Sequence, residues 1–183
     1  MHWGNREMYG ILLAECPPKK GDKIFEAGFG GGMHIDGITG LSDNLSYSGI
    51  DLSRSMVKMA SRYNRRLIDK KIVDLAEGDL NNIPYPASTF DMVLTINTIY
   101  FWADPRQVIT ELARVLKPGG TITIGANSRE EMIKQGYNVE YFNFWNREEI
   151  EELVNNNGLE VITSFHRKLK IEDCIGIIAK KLS

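Results

Sequence analysis

Apolar residues follow two different spacings along this chain, and each spacing predicts a different kind of element. Short apolar runs bounded by Gly, Pro, Asn or Asp predict buried strands. Apolar positions that recur every three or four residues predict amphipathic helices between those runs. The predicted strands cover residues 24–25, 47–50, 72–76, 90–96, 121–125, 159–165 and 173–179.

Helix starts are marked by capping residues. Ser53, Asp104 and Asn146 each precede an apolar helical pattern and are typical N-cap residues. Gln107 and Glu149 stand three residues after the second and third of these, which predicts capping boxes. In the helix after Ser53, apolar positions that include Met56 and Met59 share one face, which is interpreted as core. Further helices are predicted over residues 7–16 and 33–41.

Strands and helices alternate until residue 158, and the last two strands have no helix between them. This order predicts an α/β fold with a doubly wound, mostly parallel seven-stranded sheet, helices on both faces and a C-terminal antiparallel hairpin. The 183 residues are expected to form a single domain over 1–183, with a short N-terminal helix within residues 1–20.

A glycine-rich turn follows the first predicted strand. Gly28, Gly30 and Gly32 stand at alternate positions, where backbone N–H groups can approach a ligand without an intervening Cβ. Glu26 stands at the end of the strand, and its carboxylate suits an amine or ribose hydroxyls but would repel a pyrophosphate.

Acidic residues also follow the second and third strands. Asp51 ends the second strand, and Asp79 follows the third in the pair Gly78-Asp79. In an open parallel sheet the carboxyl ends of the strands line the ligand crevice, so Glu26, Asp51 and Asp79 are expected to share one site. The distance from the glycines to Asp51 is typical of a ribose-binding carboxylate in nucleotide-binding α/β folds.

Composition narrows the range of partners. Charged residues make up 25% of the chain and the net charge is -2, which gives no basic excess for nucleic acid. Cys16 and Cys174 make no metal-ligand pattern; a disulfide is the less favoured interpretation, and reduced thiols in a cytoplasmic protein fit better. No secretory leader and no bilayer-spanning apolar run is expected, so no membrane association and a cytoplasmic location are predicted.

Five motifs occur in the order and spacing of one known family. They are Glu26 with Gly28, Gly30 and Gly32; Asp51; Gly78-Asp79; residues 90–93, Phe-Asp-Met-Val; and residues 114–120, Arg-Val-Leu-Lys-Pro-Gly-Gly. The chain from Gly21 onward resembles the class I S-adenosylmethionine-dependent methyltransferases, in particular type 11-like, small-molecule enzymes. The resemblance implies S-adenosylmethionine as cofactor and transfer of its methyl group to a small organic acceptor by in-line displacement. Proximity and orientation would supply most of the catalysis.

The resemblance also assigns roles near the methionine part of the cofactor. Backbone from Gly28 through Phe29 and Gly30 to Gly32 would approach it. Glu26 would hold the amino group, directly or through water, and Asn97, after the fourth strand, would lie near the methionine end.

Further roles are implied for the nucleoside part. Asp51 would accept hydrogen bonds from both ribose hydroxyls, and Leu52 would flank the adenine. Asp79, after Gly78, would accept a hydrogen bond from the adenine amino group, and the N–H of Leu80 would reach a ring nitrogen. Acids and carbonyl groups suit a ligand that carries a sulfonium and an ammonium.

Candidates for a catalytic base are His34 and Tyr100. His34 stands just past the glycine turn, and Tyr100 follows the fourth strand, where substrates of this fold bind. The alternative for His34 is a helix residue at the rim of the pocket, and the alternative for Tyr100 is packing with Phe101 and Trp102. His166, in the last hairpin, is predicted to be structural or exposed.

An aromatic group in the irregular segment before Asn146 has two interpretations. It could pack onto the sheet or form a wall around an organic substrate, and the second is favoured because this segment is expected to lie over the carboxyl ends of the strands. The short segments before the first strand and after the fifth imply a site that is either open or covered by a partner subunit of the same kind. The group consists of Tyr137, Tyr141, Phe142, Phe144 and Trp145.

Two other functions remain open on sequence. A nicotinamide-dependent oxidoreductase also uses a glycine turn followed by an acid, but Met33 stands where its fingerprint needs Gly or Ala, and Glu26 argues against it too. A methyltransferase-like module that binds without turnover is the second alternative. It would share the whole fold with the enzyme.

Overall fold

The structure is a computed structural model that describes residues 3–138, 140–170 and 173–182. Its strands are β1 (Lys23–Ala27), β2 (Ser46–Asp51), β3 (Val73–Glu77), β4 (Phe90–Ile96), β5 (Leu116–Asn127), β6 (Leu159–Lys168) and β7 (Asp173–Lys181). Its α-helices are α1 (Trp3–Glu15), α2 (Ile35–Thr39), α3 (Arg54–Tyr63), α4 (Arg65–Asp69), α5 (Pro105–Val115), α6 (Arg129–Lys134) and α7 (Arg147–Asn155). A short 3-10 helix covers Ile99–Phe101.

These seven strands form one sheet in the order β3-β2-β1-β4-β5-β7-β6. The first five positions of that order are parallel, and β7 runs antiparallel to both β5 and β6. This confirms the predicted doubly wound sheet with a terminal antiparallel hairpin. Because the chain moves outward from β1 on one side and restarts at β4 on the other, the topological switch point lies between β1 and β4.

Helices cover both faces of the sheet. Because successive side chains of a strand point to opposite sides, each central strand contributes to two separate cores. On β1, Phe25 belongs to the core shared with α5 and α7, whereas Ile24 belongs to the core shared with α1 and α2. On β4, Val93 and Met92 divide in the same way. The helices on the two faces leave the carboxyl edge of β1 to β4 accessible.

All three predicted N-cap residues are confirmed. The Ser53 side chain accepts the N–H of Met56, and Asn146 forms a reciprocal capping box with Glu149. At α5 the Asp104 side chain caps Gln107 N–H, but the predicted box is wrong: Gln107 Nε2 donates to the Asn81 carbonyl at 3.1 Å. That carbonyl lies on a neighbouring loop, and the bond turns the Gln107 side chain toward it, whereas the box would need the Gln107 side-chain oxygen to accept the Asp104 N–H.

Several element boundaries differ from the predictions, and three of them have a clear cause in the contacts of the structure. The helix after the glycine turn starts only at Ile35, since Met33 and His34 still belong to the turn. The helix after Ser53 breaks at Asn64, whose Nδ2 donates to the carbonyls of Gly32 and Ala60. β5 begins earlier than predicted because Leu116 already pairs with Phe90, and residues 117–120 bulge beside Asp91.

Candidate functional site

A cleft of about 1040 Å³ opens at the carboxyl edge of β1, β2, β3 and β4. Most predicted cofactor-binding residues line it, which places the glycine turn beside the acids that follow β2 and β3. The lining includes Gly28, Phe29, Gly30, Asp51, Leu52, Gly78, Asp79, Leu80 and Asn97. The cleft therefore lies at the switch point, where ligands bind in open α/β sheets.

The glycine turn adopts a conformation that side chains resist. Gly28, Gly30 and Gly32 have φ of 78°, 56° and 66°, in the left-handed region. A Cβ on Gly28 would lie 2.5 Å from Thr98 Cγ2, and one on Gly32 would lie 2.6 Å from Ala60 Cβ. A Cβ on Gly30 would have no neighbour within 4 Å, because this glycine borders the cleft. The turn thus presents bare main chain at the end of β1.

Asp51 is held at the end of β2 by two backbone amides. Its Oδ2 accepts the N–H of Gly30 at 2.8 Å, and its Oδ1 accepts that of Ser53 at 2.9 Å. A carboxylate offers about four acceptor positions, so these two bonds orient it while leaving acceptor capacity on both oxygens. The half-buried carboxylate lines the cleft and can receive a pair of neighbouring hydroxyl groups.

Asp79 occupies the outer end of the cleft, beyond Asp51. Its Oδ1 accepts both the backbone N–H and the side-chain amide of Asn81, at 2.9 and 2.8 Å. Among the described hydrogen bonds, none ends on its Oδ2, which can accept from a ligand. Gly78 packs closely on β2, where a Cβ would lie 3.3 Å from Ile50 side-chain carbons and would displace them slightly.

Asn97 stands at the end of β4 with a left-handed φ of 56°. Its Nδ2 donates to Asn5 Oδ1 at 2.7 Å, and its Oδ1 accepts from the Tyr100 hydroxyl at 2.8 Å and the Asn127 N–H at 3.2 Å. Tyr100 is buried, at 4% exposure, and is not among the residues that line the cleft. The structure therefore places Tyr100 behind Asn97, where it orients that amide.

Glu26 is fully buried below the cleft rather than on its wall. Its carboxylate accepts the hydroxyls of Tyr9 and Tyr47 and contacts His34 Nε2 at 2.8 Å. Burial, together with the negative charge of Glu26, raises the pKa of Tyr9 and of Tyr47 well above the usual value. Both tyrosines therefore remain hydroxyl donors, and among the described contacts of Glu26 it is Tyr9 and His34 that line the cleft.

The wall on the α3 side of the cleft is apolar and exposed. Met56 and Met59 line it, and Met59 is 53% exposed, so the interpretation of this methionine stripe as core is wrong for these two positions. Leu52 and Met33 are exposed on the same wall. Helical spacing identified the shared face but not what the face would contact.

Aromatic rings continue the wall on the opposite side. Phe101 lines the cleft at 66% exposure and meets Phe142 edge to face at 5.4 Å, and Phe142 meets Tyr137 at 5.1 Å. Trp145 instead borders a separate, smaller depression beside α5 and α7. None of the five predicted aromatic residues is itself among the described lining residues. Phe142, Phe144 and Trp145 pack against the core of the sheet, as the alternative interpretation expected.

Asn5 and Tyr9 of α1 are among the lining residues that the sequence did not predict. They are four residues apart and so share one helix face. That spacing was visible, but nothing local showed that this face would pack over the ends of β1 and β4. His166 is exposed on β6, at the far edge of the sheet from β1.

The lining fits a cationic nucleoside. Carboxylates at Asp51 and Asp79 and the amide of Asn97 face the cleft, and no lysine or arginine occurs among the described lining residues. A pyrophosphate would find no cationic partner there, whereas a sulfonium ligand matches acids and main-chain groups. The open space over Gly30 would admit such a ligand against the backbone.

Comparisons with known proteins agree with this geometry. The family model described as "Methyltransferase domain" matches residues 25–124. The chain belongs to this family, the class I S-adenosylmethionine-dependent methyltransferases.

In the described part of the chain, no helix has the length and apolar character needed to cross a membrane.

Similar proteins include two curated relatives and a solved structure. An uncharacterized methyltransferase of Bacillus subtilis (strain 168), YdaC, is 35% identical over 61% of this chain and 59% of its own length. The 2-methyl-6-phytyl-1,4-hydroquinone methyltransferase 1 of Oryza sativa subsp. japonica is 35% identical over 55% of this chain but only 29% of its own length. A SAM-dependent methyltransferase from Aquifex aeolicus has the same fold, with a TM-score of 0.79 at 22% identity over 94% of this chain and 89% of that one.

Proposed function

We propose that this protein transfers a methyl group from S-adenosylmethionine to a small apolar or aromatic organic molecule. The single observation that carries the proposal is the shared cleft of the glycine turn, Asp51 and Asp79 at the switch point. The sheet and its helices would act as the one domain predicted over residues 1–183. When bound, the cofactor supplies an activated methyl group on a sulfonium.

Each lining residue then has a proposed task. Asp51, already oriented by two backbone amides, accepts the ribose hydroxyls, and Leu52 covers the adenine. Asp79, beside Gly78, accepts a hydrogen bond from the adenine amino group, and the N–H of Leu80 donates to a ring nitrogen of the adenine. The backbone of Gly28, Phe29 and Gly30 approaches the methionine part, together with Asn97. Gly32 is not among the lining residues, and its proposed role is to shape the turn, where a Cβ would lie 2.6 Å from Ala60 Cβ.

The acceptor class is inferred from the exposed walls. Met33 and Met59 on one side and Phe101 on the other give apolar surface that a hydrophobic acceptor would cover. The rice relative is named for a hydroquinone substrate, which supports an aromatic acceptor. Tyr100, buried behind Asn97, is proposed as a positioning residue for that amide rather than as a base.

The nucleoside part of the proposal is tested by ligand-induced stabilisation. S-Adenosylhomocysteine at about 100 times its dissociation constant adds about 2.7 kcal/mol to the free energy of unfolding, whereas NADH adds none. For a chain of this size the expected rise in Tm is about 5–10 °C. Asp51→Ala abolishes the rise, and Asp43→Ala, which removes an exposed carboxylate paired with Lys20, retains it.

The transfer step is tested by incubating the protein with S-adenosylmethionine and a series of phenols and hydroquinones. Mass spectrometry should detect S-adenosylhomocysteine and a methylated product in equal amounts. Ligand binding without any product across acceptor classes would favour the non-catalytic module. A thermal shift with NADH but not with S-adenosylhomocysteine would favour the oxidoreductase and reject the proposal.

A further inference from the structure

His34 links the buried carboxylate of Glu26 to the cleft. The imidazole lines the cleft, yet its side chain is only 7% exposed. Its ring stacks on Tyr9, with 4.1 Å between centroids and 18° between planes. Packing against Tyr9 and contact with Glu26 together fix the orientation of the ring.

The two ring nitrogens have different surroundings. Nε2 lies 2.8 Å from Glu26 Oε2, and a carboxylate that already accepts two tyrosine hydroxyls requires a donor there. The proton of neutral His34 is therefore on Nε2. Nδ1 is left with its lone pair, and it is buried without a hydrogen-bond partner among the described residues.

The position of His34 along the sheet edge indicates which part of a ligand it meets. Asp79 follows β3, Asp51 ends β2, the glycine turn follows β1 and Asn97 follows β4, and these strands are neighbours in that order. A nucleoside held at Asp79 and Asp51 therefore extends its tail toward the ends of β1 and β4. His34 leaves the glycine turn at that end of the cleft.

We propose that Nδ1 of His34 accepts a hydrogen bond from the ammonium group of the ligand's amino-acid tail, so that Glu26 holds this group through the imidazole. The proposal rests on the proposed function, since it presumes a nucleoside that carries such a tail. An ammonium donor satisfies the one polar atom that the cluster leaves unpaired. The buried negative charge of Glu26 behind the ring adds attraction for the cation.

Two substitutions of His34 test this role by ligand affinity. His34→Phe keeps a ring against Tyr9 but removes both nitrogens, and His34→Gln keeps a donor for Glu26 but not the ring acceptor. Calorimetry compares S-adenosylhomocysteine with 5′-methylthioadenosine, which lacks the amino-acid tail. Both variants are expected to lose at least tenfold in affinity for the first ligand, about 1.4 kcal/mol, and less than twofold for the second. His166→Phe, at an exposed histidine on β6, leaves both affinities unchanged.

Nitrogen-15 NMR of the histidine ring tests the tautomer itself. Neutral His34 of the wild type should report a protonated Nε2, donated to Glu26, and an unprotonated Nδ1.

The outcomes separate this inference from the proposed function. If wild-type protein binds neither ligand, the proposed function fails first. If it binds both and His34→Phe retains full affinity for S-adenosylhomocysteine, the ammonium contact is wrong. A wild-type imidazole protonated on Nδ1 would also overturn it. Equal losses for both ligands would show that His34 merely supports the cleft.

Discussion

At the scale of single residues, Gly28 is under two separate constraints. Its φ of 78° is left-handed, and the site of a Cβ lies 2.5 Å from Thr98 Cγ2. Thr98 is β-branched and its hydroxyl bonds to Thr95, so the methyl group has little freedom to withdraw. The first constraint is common to other turns of this chain, whereas the second is specific to the ends of β1 and β4.

Substitution of Gly28 by Ala separates the two constraints. Gly28→Ala is expected to lower the free energy of unfolding by about 2–4 kcal/mol, from backbone strain and overpacking combined. Gly21→Ala is the control, with φ of 82° and open space around its Cβ, and should lose about 1–2 kcal/mol. Urea unfolding measures the free energy of each variant. Adding Thr98→Ser to Gly28→Ala should recover most of the extra loss that Gly28→Ala shows relative to Gly21→Ala. No recovery would show that Thr98 is not the obstacle.

The buried hydroxyl of Tyr47 is expected to make the free energy of unfolding depend on pH in the alkaline range. The folded protein keeps the Tyr47 proton to higher pH than the unfolded chain, since burial raises the pKa of this hydroxyl. Above about pH 10 the unfolded chain releases the proton first, so stability is present below that pH and is lost as the pH rises.

Urea unfolding between pH 8 and pH 11 checks this dependence. The wild type should lose up to about 1.4 kcal/mol more per pH unit above pH 10 than Tyr47→Phe does. Tyr63→Phe, at a tyrosine that is 59% exposed, should follow the wild type. Parallel curves for wild type and Tyr47→Phe would contradict the raised pKa.

At the scale of elements, local chemistry decided most boundaries. Ser53 and Asn146 cap helices as predicted, because an N-cap needs only a side-chain oxygen and the amides three residues on. The break at Asn64 was not predictable, since its amide bonds to Gly32, 32 residues earlier in the chain. The prediction that Met56 and Met59 of α3 belong to the core was wrong for the same reason. A helical period identifies which side chains share a helix face, whereas the fold decides what that face contacts.

The capping box of α7 gives a test of element stability. Asn146→Ala removes the side-chain oxygen that accepts Glu149 N–H at 2.8 Å and should cost about 1 kcal/mol. That corresponds to a fall in Tm of about 2–4 °C. Asn156→Ala, at the other end of the helix, where capping uses the backbone amide, should change Tm less. An unchanged Tm in Asn146→Ala would show that the capping box does not stabilise α7.

At the scale of the whole molecule, strand order brings the site together. The order of strands and helices in the sequence was enough to predict the wound sheet and the shared edge for Asp51 and Asp79. The burial of Glu26 below the cleft was not predictable, because Tyr9 of α1 and Tyr47 of β2 contact its carboxylate only after those elements pack on β1. An acid at a strand end can therefore face the ligand, or be enclosed and act through a neighbour such as His34.

A crystal structure of the protein with S-adenosylhomocysteine tests the central claim most directly. We expect the ligand in the cleft, with its ribose on Asp51, its adenine amino group on Asp79 and its tail against Gly30. Density for the nucleoside anywhere else on the molecule, with this cleft left to solvent, would contradict the account.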